Sequence, residues 1–218
     1  LVFLSKEMKE QAKELYTLQE IKLEVQYPFI TIKDKLTNDL EHLFDKDKKH
    51  VVYSGALGEK QNPERLFNFF DQASLNTENS IFHFFSRGDA FNRLKKINTN
   101  SKIHFHGLVE KEHLEELYHK SDVQIIPQKE GTSKGSLPSK LPNLLASECK
   151  LLLITDPGSE LQKLFQINNL DFVVTSWNTK ELINSLQTLI DKPVDFNHQK
   201  SVAKNFFTID KMILKLLR

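Results

Sequence analysis

The chain has 218 residues, of which 39% are hydrophobic and 27% are charged, which suits one large domain or one domain with part of a second. Its formal net charge is +1, with 30 Lys and Arg residues against 29 Asp and Glu residues. This balance provides no bulk electrostatic attraction for a nucleic acid, so we expect no nucleic-acid partner. The single cysteine, Cys149, excludes an internal disulfide and fits a reducing cytoplasm, where we expect the protein to reside.

The beginning of the chain differs in pattern from the rest. Residues 1–4 predict a buried parallel strand, and Ser5 is the expected cap of a helix that runs to about residue 18. A chain that opens inside a core strand favours a fragment of a longer protein. We therefore interpret residues 1–48 as the tail of a preceding N-terminal domain and a linker. No apolar run approaches the roughly 20 residues of a membrane helix.

Apolar strand-like runs alternate with amphipathic helical runs almost throughout the chain. The predicted strands are 2–4, 22–26, 51–54, 81–85, 103–105, 123–127, 151–154 and 172–175. The predicted helices are 5–18, 33–44, 63–73, 89–97, 111–119, 139–147, 159–165 and 179–190. This alternation is typical of βαβ units, so we predict an α/β fold with a Rossmann-like parallel sheet and helices on both faces. Residues 49–195 would form this domain, and 196–218 one or two helices after it.

The stretch 129–149 is the strongest candidate for a functional site. It runs from a predicted strand through a Gly-rich polar loop into a short helix, with Ser139 as the expected N-cap and Pro142 in the first turn. The free amides of that turn and the positive end of the helix dipole favour an anion, and Lys140 stands beside them. A diphosphate fits this chemistry. An ordinary capped core helix after a loop is an equally good interpretation.

Three other loops follow predicted strands, at the edge where parallel sheets bind ligands. Residues 54–62 contain two glycines that allow a ligand close to the backbone, but they match neither a dinucleotide fingerprint nor a P-loop. Residues 86–89 carry Arg87, which fits a phosphate ligand or an exposed loop residue equally well. Residues 107–110 join a strand to a helix.

His104 and His106 lie two residues apart on a predicted strand and so share a face. A metal pair is one interpretation, but no third ligand has suitable spacing. Packed or rim histidines are the preferred interpretation, and we predict no metal site.

Taken together, these loops form five motifs in a fixed order: VVYSGALGEKQNPERL, FFSRGDAFNRL, IHFHGLVEKEHLEELYHKSDVQIIP, SLPSKLPNLLAS and LLLITDPGSEL. With this order and spacing, the chain resembles the C-terminal domain of family-4 glycosyltransferases of the GT-B fold. The resemblance covers residues 51–189. It is greatest to the colanic-acid and capsular-polysaccharide branch, which builds bacterial surface glycans.

The resemblance implies a domain that binds a nucleotide-sugar donor, a UDP- or GDP-sugar, while the missing N-terminal domain binds a sugar or lipid-linked acceptor. Lys60 and Lys140 are the implied catalytic residues, which hold the diphosphate as it leaves. No cofactor or metal is required, and the usual outcome is retention at the anomeric carbon. The implied substrate-binding residues are Gly55, Leu57, Gly58, Gln61, Arg87, Gly107, Val109, Glu130, Leu137, Ser139 and Asn143.

The chain departs from the family pattern at the site itself. The first glutamate of a glutamate-x7-glutamate motif would fall near Gly135 and is absent, while Glu130 is close but out of register. Asn143 occupies the position of the second glutamate, where it is expected to hydrogen-bond a ribose hydroxyl without charge. A GT-B nucleotide-sugar epimerase and a non-catalytic module that retains the fold remain alternatives. Peripheral attachment to the inner membrane also remains open.

Overall fold

The computed structural model describes residues 1–16, 18, 22–32, 36–170 and 172–216. A small parallel pair of strands, β1 (Val2–Phe3) and β2 (Glu24–Val25), lies near the start of the chain. The main sheet is parallel and six-stranded. Its strands are β3 (Lys49–Ser54), β4 (Ser80–Phe85), β5 (Ile103–His106), β6 (Val123–Pro127), β7 (Lys150–Ile154) and β8 (Val173–Val174).

The order of strands in the main sheet is β5-β4-β3-β6-β7-β8. The chain first moves outward from β3 to β5, then crosses back to place β6 on the other side of β3. This is the Rossmann order, and β3 and β6 flank the point where the direction of winding reverses. Ligands bind at such a switch point, beyond the carboxyl ends of the strands.

Helices cover both faces of this sheet. The helices of the described ranges, not all of which lie on the main sheet, are α1 (Lys6–Leu15), α2 (Pro63–Asn76), α3 (Asp89–Ile97), α4 (Leu114–Lys120), α5 (Leu141–Ala146), α6 (Glu160–Ile167), α7 (Thr179–Asp191), α8 (Phe196–Phe206) and α9 (Ile209–Leu216). Helix α2 illustrates why they form: Pro63 occupies its first turn, and Leu66, Phe69, Phe70 and Ala73 recur at helical spacing and are fully buried.

Two apolar cores form because successive strand side chains point to opposite faces of the sheet. Val51 and Tyr53 of β3 belong to the core that is covered by α2, α3 and α7. Val52, which lies between them, belongs to the core under α5, α6 and α8. The prediction of a parallel α/β sheet with helices on both faces is therefore confirmed.

The first 48 residues depart from the predicted elements. The strand at residues 2–4 is only Val2–Phe3, and Leu1, Val2 and Leu4 are at least half exposed, so its predicted burial is wrong. The reason is that β1 pairs with β2 outside the main sheet. Ser5 does cap α1, whose end at Leu15 comes before the predicted residue 18.

The predicted helix 33–44 is wrong in its described part, and its start at Lys33 lies outside the described residues. Only the short 3-10 turn Glu41–Leu43 forms there. The cause is the buried carboxylate of Glu116, which accepts hydrogen bonds from the N–H groups of Asp39 and Leu40 at 3.1 and 3.0 Å. A side chain from α4 thus replaces the helical partners of these amides.

Three histidines form a hydrogen-bonded row across β3, β4 and β5. The ring nitrogens of His50 and His83 are 2.9 Å apart, and those of His83 and His106 are 3.1 Å apart. Phe44 packs against the row, with its ring centroid 4.9 Å from that of His50. Burial, aided by the neighbouring histidines, lowers the pKa of His83 to about 2 and that of His106 to about 4.

Candidate functional site

A cavity of about 560 Å³ lies beyond the carboxyl ends of β3 and β6, at the switch point of the sheet. Its floor includes Tyr53 and Ser54 from β3, and Ile126 and Pro127 from β6. Three segments form its walls: residues 55–61 after β3, residues 108–118 after β5, and residues 132–140 after β6. The cavity is therefore built from loops that follow three different strands.

The first wall is a tight loop that brings Lys60 to the cavity. Gly55 has φ of +128°, and its N–H donates to the Phe85 carbonyl at 3.0 Å, which ties the loop to β4. The Tyr53 hydroxyl donates to the Ala56 carbonyl at 2.7 Å. Lys60 lies in the 3-10 turn Glu59–Gln61 and is exposed, and its ammonium has no hydrogen bond or ion pair to the described residues.

Lys140 also borders the cavity, and its side chain reaches strands β3 and β6. Its ammonium donates to the carbonyls of Ser54 at 2.8 Å and Ile125 at 3.3 Å, and it sits 4.5 Å above the centre of the Tyr53 ring. These partners carry partial charges only. Burial consequently lowers the pKa of Lys140 to about 7.

The start of α5 differs from the prediction. Lys140, and not Ser139, occupies the N-cap position, and no side chain caps the helix. Ser139 instead lies in a turn one residue earlier and borders the cavity. The predicted capping role of Ser139 is therefore wrong, because the helix begins only at Leu141.

The charged residues that border the cavity are both lysines, Lys60 and Lys140; within the described chain no Asp or Glu borders it. The remaining polar lining consists of hydroxyls and amides, with Ser136, Ser139 and Gln61 among them. The walls formed by residues 108–118 are largely apolar. Such a site attracts an anion that carries an apolar or aromatic group.

The structure brings seven of the predicted site residues to this cavity. They are Gly55, Lys60, Gln61, Val109, Leu137, Ser139 and Lys140. Their roles toward a ligand stay predictions.

The other predicted residues do not border the cavity. Leu57 is buried in a core, and Gly58 donates its N–H to the side chain of Gln61. Arg87 and Gly107 are exposed in their loops. Glu130 is exposed and forms an ion pair of 3.1 Å with Arg65.

Asn143 faces away from the cavity. Its side-chain oxygen accepts a hydrogen bond from the N–H of Thr31 at 2.7 Å, and its amide nitrogen donates to the Thr31 hydroxyl at 2.9 Å. This placement gives no support to the predicted contact with ribose. Asn143 instead joins α5 to the segment that precedes the main sheet.

Sequence reasoning missed Gln128, which follows β6 and borders the cavity. Its side chain donates to the Ser136 carbonyl at 3.0 Å and accepts from the Thr155 hydroxyl at 2.6 Å. Its backbone carbonyl accepts from the indole of Trp177 at 3.0 Å. The sequence feature that could have identified Gln128 is its position as a polar residue directly after an apolar strand, next to the predicted site.

The sequence family described as glycosyl transferases group 1 matches residues 34–206, which is most of the chain. The chain belongs to this family. A curated relative, the putative colanic acid biosynthesis glycosyl transferase WcaI of Escherichia coli (strain K12), is 31% identical over 134 residues. The match covers 60% of this chain and 32% of WcaI, so the chain spans about a third of that relative.

Solved structures share the fold at low sequence identity. A sucrose-phosphate synthase from Thermosynechococcus elongatus superposes with a TM-score of 0.73 at 14% identity, covering 99% of this chain and 56% of that protein. WaaG, a glycosyltransferase involved in lipopolysaccharide biosynthesis, superposes with a TM-score of 0.70 at 12% identity. The superposition covers 94% of this chain and 56% of WaaG. This member of the glycosyl transferases group 1 family therefore has a Rossmann-like GT-B fold. The chain spans about half the length of these two solved proteins.

Two further findings concern this family member. Among the described residues, no three His, Cys, Asp or Glu side chains are placed to hold a metal ion. No helix within the described ranges is long and apolar enough to cross a membrane.

Proposed function

We propose that this domain binds the nucleotide-sugar donor of a glycosyltransferase, with the diphosphate between Lys60 and Lys140. The observation that carries the proposal is the charge of the cavity: of the residues that the structure describes, two lysines and no carboxylate border it, at the switch point of the sheet. A UDP- or GDP-sugar offers the matching chemistry, an anion joined to a flat base. The base would lie against the apolar wall that includes Val109 and Tyr118.

The chemical step would depend on stabilising the leaving group. When the bond between the sugar and the diphosphate breaks, negative charge grows on the phosphate oxygens. Lys60, exposed at the cavity, is free to move toward that charge, while Lys140 is held at the floor. Because both are permanent parts of the chain, transfer would not need a divalent metal, and retention at the anomeric carbon is the expected outcome.

The relatives support this proposal and suggest a setting for it. WcaI is described as a colanic acid biosynthesis enzyme, and a structurally similar trehalose-6-phosphate protein from E. coli was solved with UDP-2-fluoro glucose. We infer an acceptor that is a sugar or lipid-linked sugar in bacterial surface polysaccharide synthesis. The acceptor would bind to a preceding domain, at the cytoplasmic side of the inner membrane.

The division of the chain is part of the same proposal. Residues 1–48 would belong to that preceding domain and a linker, and residues 49–195 would bind the donor. Residues 196–218 would pack back toward the first domain through α9, since α8 packs against α5 over a core of the main sheet. The described part of this last segment includes Ile209 and Ile213 of α9, which are 47% and 44% exposed, as a docking helix requires.

A nucleotide-sugar epimerase would need acid and base groups around the sugar. Since no Asp, Glu or His of the described chain borders the cavity, that alternative has less support. A non-catalytic module would have no need of the two lysines, which weakens the second alternative.

The test is a calorimetric titration of the protein with UDP, GDP and their sugar conjugates, with and without EDTA. We expect one nucleotide to bind in preference to the other and EDTA to have no effect. We expect the double variant K60A/K140M to lose measurable affinity. Nucleotide affinity that survives this double change would refute the proposed site.

A further inference from the structure

The loop of residues 129–138 forms one wall of the cavity, and it has no regular structure of its own. Gly131 and Gly135 adopt φ of +77° and +66°, in the left-handed region. The N–H and C=O groups that are not paired within such a loop must find partners outside it. Three side chains provide these partners, and they come from three different elements.

Two of the three lie just after strands of the main sheet. Asp156 follows β7 and accepts hydrogen bonds from the Gly131 N–H at 2.9 Å and the Ser133 hydroxyl at 2.5 Å. Gln128 follows β6 and donates to the Ser136 carbonyl at 3.0 Å. The loop is therefore attached to the sheet at its start and near its end.

The third partner is Glu7, from the first turn of α1. Its carboxylate accepts a hydrogen bond from the Gly135 N–H at 3.0 Å, across 128 residues of sequence. The contact is close, since a Cβ atom at Gly135 would lie 3.6 Å from the Cα atom of Met8. Glu7 itself does not border the cavity.

The position of Glu7 is well defined. The Ser5 hydroxyl caps α1, and the carboxylate of Glu160 in α6 accepts from the N–H groups of Lys6 and Glu7 at 2.9 and 3.0 Å. The same carboxylate accepts from the Tyr27 hydroxyl at 2.6 Å. Glu160 thus holds the first turn of α1 against α6, and Glu7 extends from that turn to the loop.

We propose that Glu7 is a positioning residue of the donor cavity, which holds the wall formed by residues 136–138 by accepting the Gly135 N–H. This inference rests on the proposed function, because it assumes that the cavity takes a nucleotide. Ser136 and Leu137 border the cavity directly, and Ser139 and Lys140 follow them along the chain. Loss of the Glu7 carboxylate leaves the Gly135 amide without its acceptor and frees this wall to move.

A conservative change, E7Q, tests whether Glu7 acts as a hydrogen-bond acceptor or through its negative charge. In the E7Q variant the amide oxygen can still accept from Gly135, whereas in E7A nothing replaces the acceptor. Glu10 provides a matched control, because it lies one turn further along α1, pairs with Lys13 at 3.0 Å and has no hydrogen bond or ion pair with residues 129–138.

The experiment measures UDP affinity by calorimetry and the amide hydrogen exchange of residues 133–138 for the wild type, E7A, E7Q and E10A. We expect E7A to bind UDP about tenfold more weakly, which corresponds to about 1.4 kcal/mol, and to exchange these amides faster. E7Q should stay within about threefold of the wild type, and E10A should match it.

The outcomes of this experiment distinguish the proposed role of Glu7 from the proposed function of the cavity. If the wild type binds UDP and E7A binds it equally well, Glu7 does not position the cavity, even if E7A unfolds at a lower temperature. An E7Q protein that fails as badly as E7A would also overturn the proposal. If the wild type binds no nucleotide at all, the proposed function fails instead, and the exchange rates then decide whether Glu7 holds the loop.

Discussion

The ammonium group of Lys140 lies 2.8 Å from the carbonyl oxygen of Ser54, at the carboxyl end of β3. Its second acceptor, the Ile125 carbonyl, belongs to β6. One side chain therefore bridges the two strands that flank the switch point, directly beneath the cavity. In the described chain, no carboxylate forms an ion pair with Lys140, so its charge has no counterpart until an anion arrives.

This arrangement predicts that donor binding takes up a proton. The pKa of Lys140 is about 7, so above that pH the free protein increasingly holds a neutral amine. A diphosphate favours the ammonium form, so UDP-glucose affinity should fall as pH rises above 7, by at most about tenfold per pH unit. Calorimetry in two buffers with different ionisation enthalpies, at pH 7.5, measures the proton directly.

The control for this prediction is K140M, which should bind more weakly and with no proton uptake. UDP-glucose is the suitable probe because its diphosphate has no proton to lose near neutral pH. Equal heats in both buffers for the wild type would show that Lys140 does not gain charge on binding.

Lys60 should contribute to affinity but not to stability. It is exposed at the cavity, so K60A should weaken UDP binding about tenfold and change the free energy of unfolding by no more than about 0.5 kcal/mol. Lys129 is a matched control, because it is half exposed, lies 3.7 Å from Glu59 and does not border the cavity. K129A should bind UDP as the wild type does. An equal loss of UDP affinity in K60A and K129A would mean that binding depends on the total positive charge and not on Lys60 itself.

The N143A variant distinguishes the ribose contact that the family resemblance implies from the Thr31 contact that the structure shows. Its hydrogen bonds with Thr31 predict that N143A loses about 1 kcal/mol of unfolding free energy. The same variant should keep its UDP affinity within about twofold, because the side chain faces away from the cavity. Urea unfolding and calorimetry measure the two quantities. Weakened binding with unchanged stability would favour the ribose contact that the family pattern implies.

The histidine row predicts a loss of stability in acid. His83 and His106 have pKa values of about 2 and about 4 when folded, against about 6.5 when unfolded. Their contribution to the free energy of unfolding is complete above pH 6.5 and declines below it, since down to about pH 4 it is mainly the unfolded chain that takes up these protons. The decline approaches about 1.4 kcal/mol per pH unit for each histidine.

The H106F variant isolates one of these contributions. Phenylalanine can keep the ring stacking on Phe85, whose centroid is 4.4 Å from that of His106. Urea unfolding between pH 7 and 5 should show a shallower pH dependence for H106F, so the wild type should lose more unfolding free energy than H106F as the pH falls. Parallel curves for the two proteins would contradict the prediction.

The sequence predicted what depends on local patterns. Apolar runs located the six strands of the main sheet, and α3 and β6 lie at their predicted bounds. The cavity could be placed because loops after parallel strands share one edge. Local patterns failed where a distant side chain decides the structure: Glu116 satisfies the amides of residues 39 and 40, and Thr31 binds Asn143 across 112 residues.

The hydrogen bonds of the histidine row all run in the same direction. The Asp45 carbonyl, 2.8 Å from the His50 ring, can only accept, so in the neutral row each ring donates toward Asp45 and accepts from the next ring. Only the last ring, His106, then keeps a nitrogen without a partner among the described residues. A proton can therefore enter without breaking the row only at His106, the residue directly before the Gly107–Val109 loop. Acid would therefore act first at the carboxyl end of β5, beside the loop whose Val109 borders the cavity.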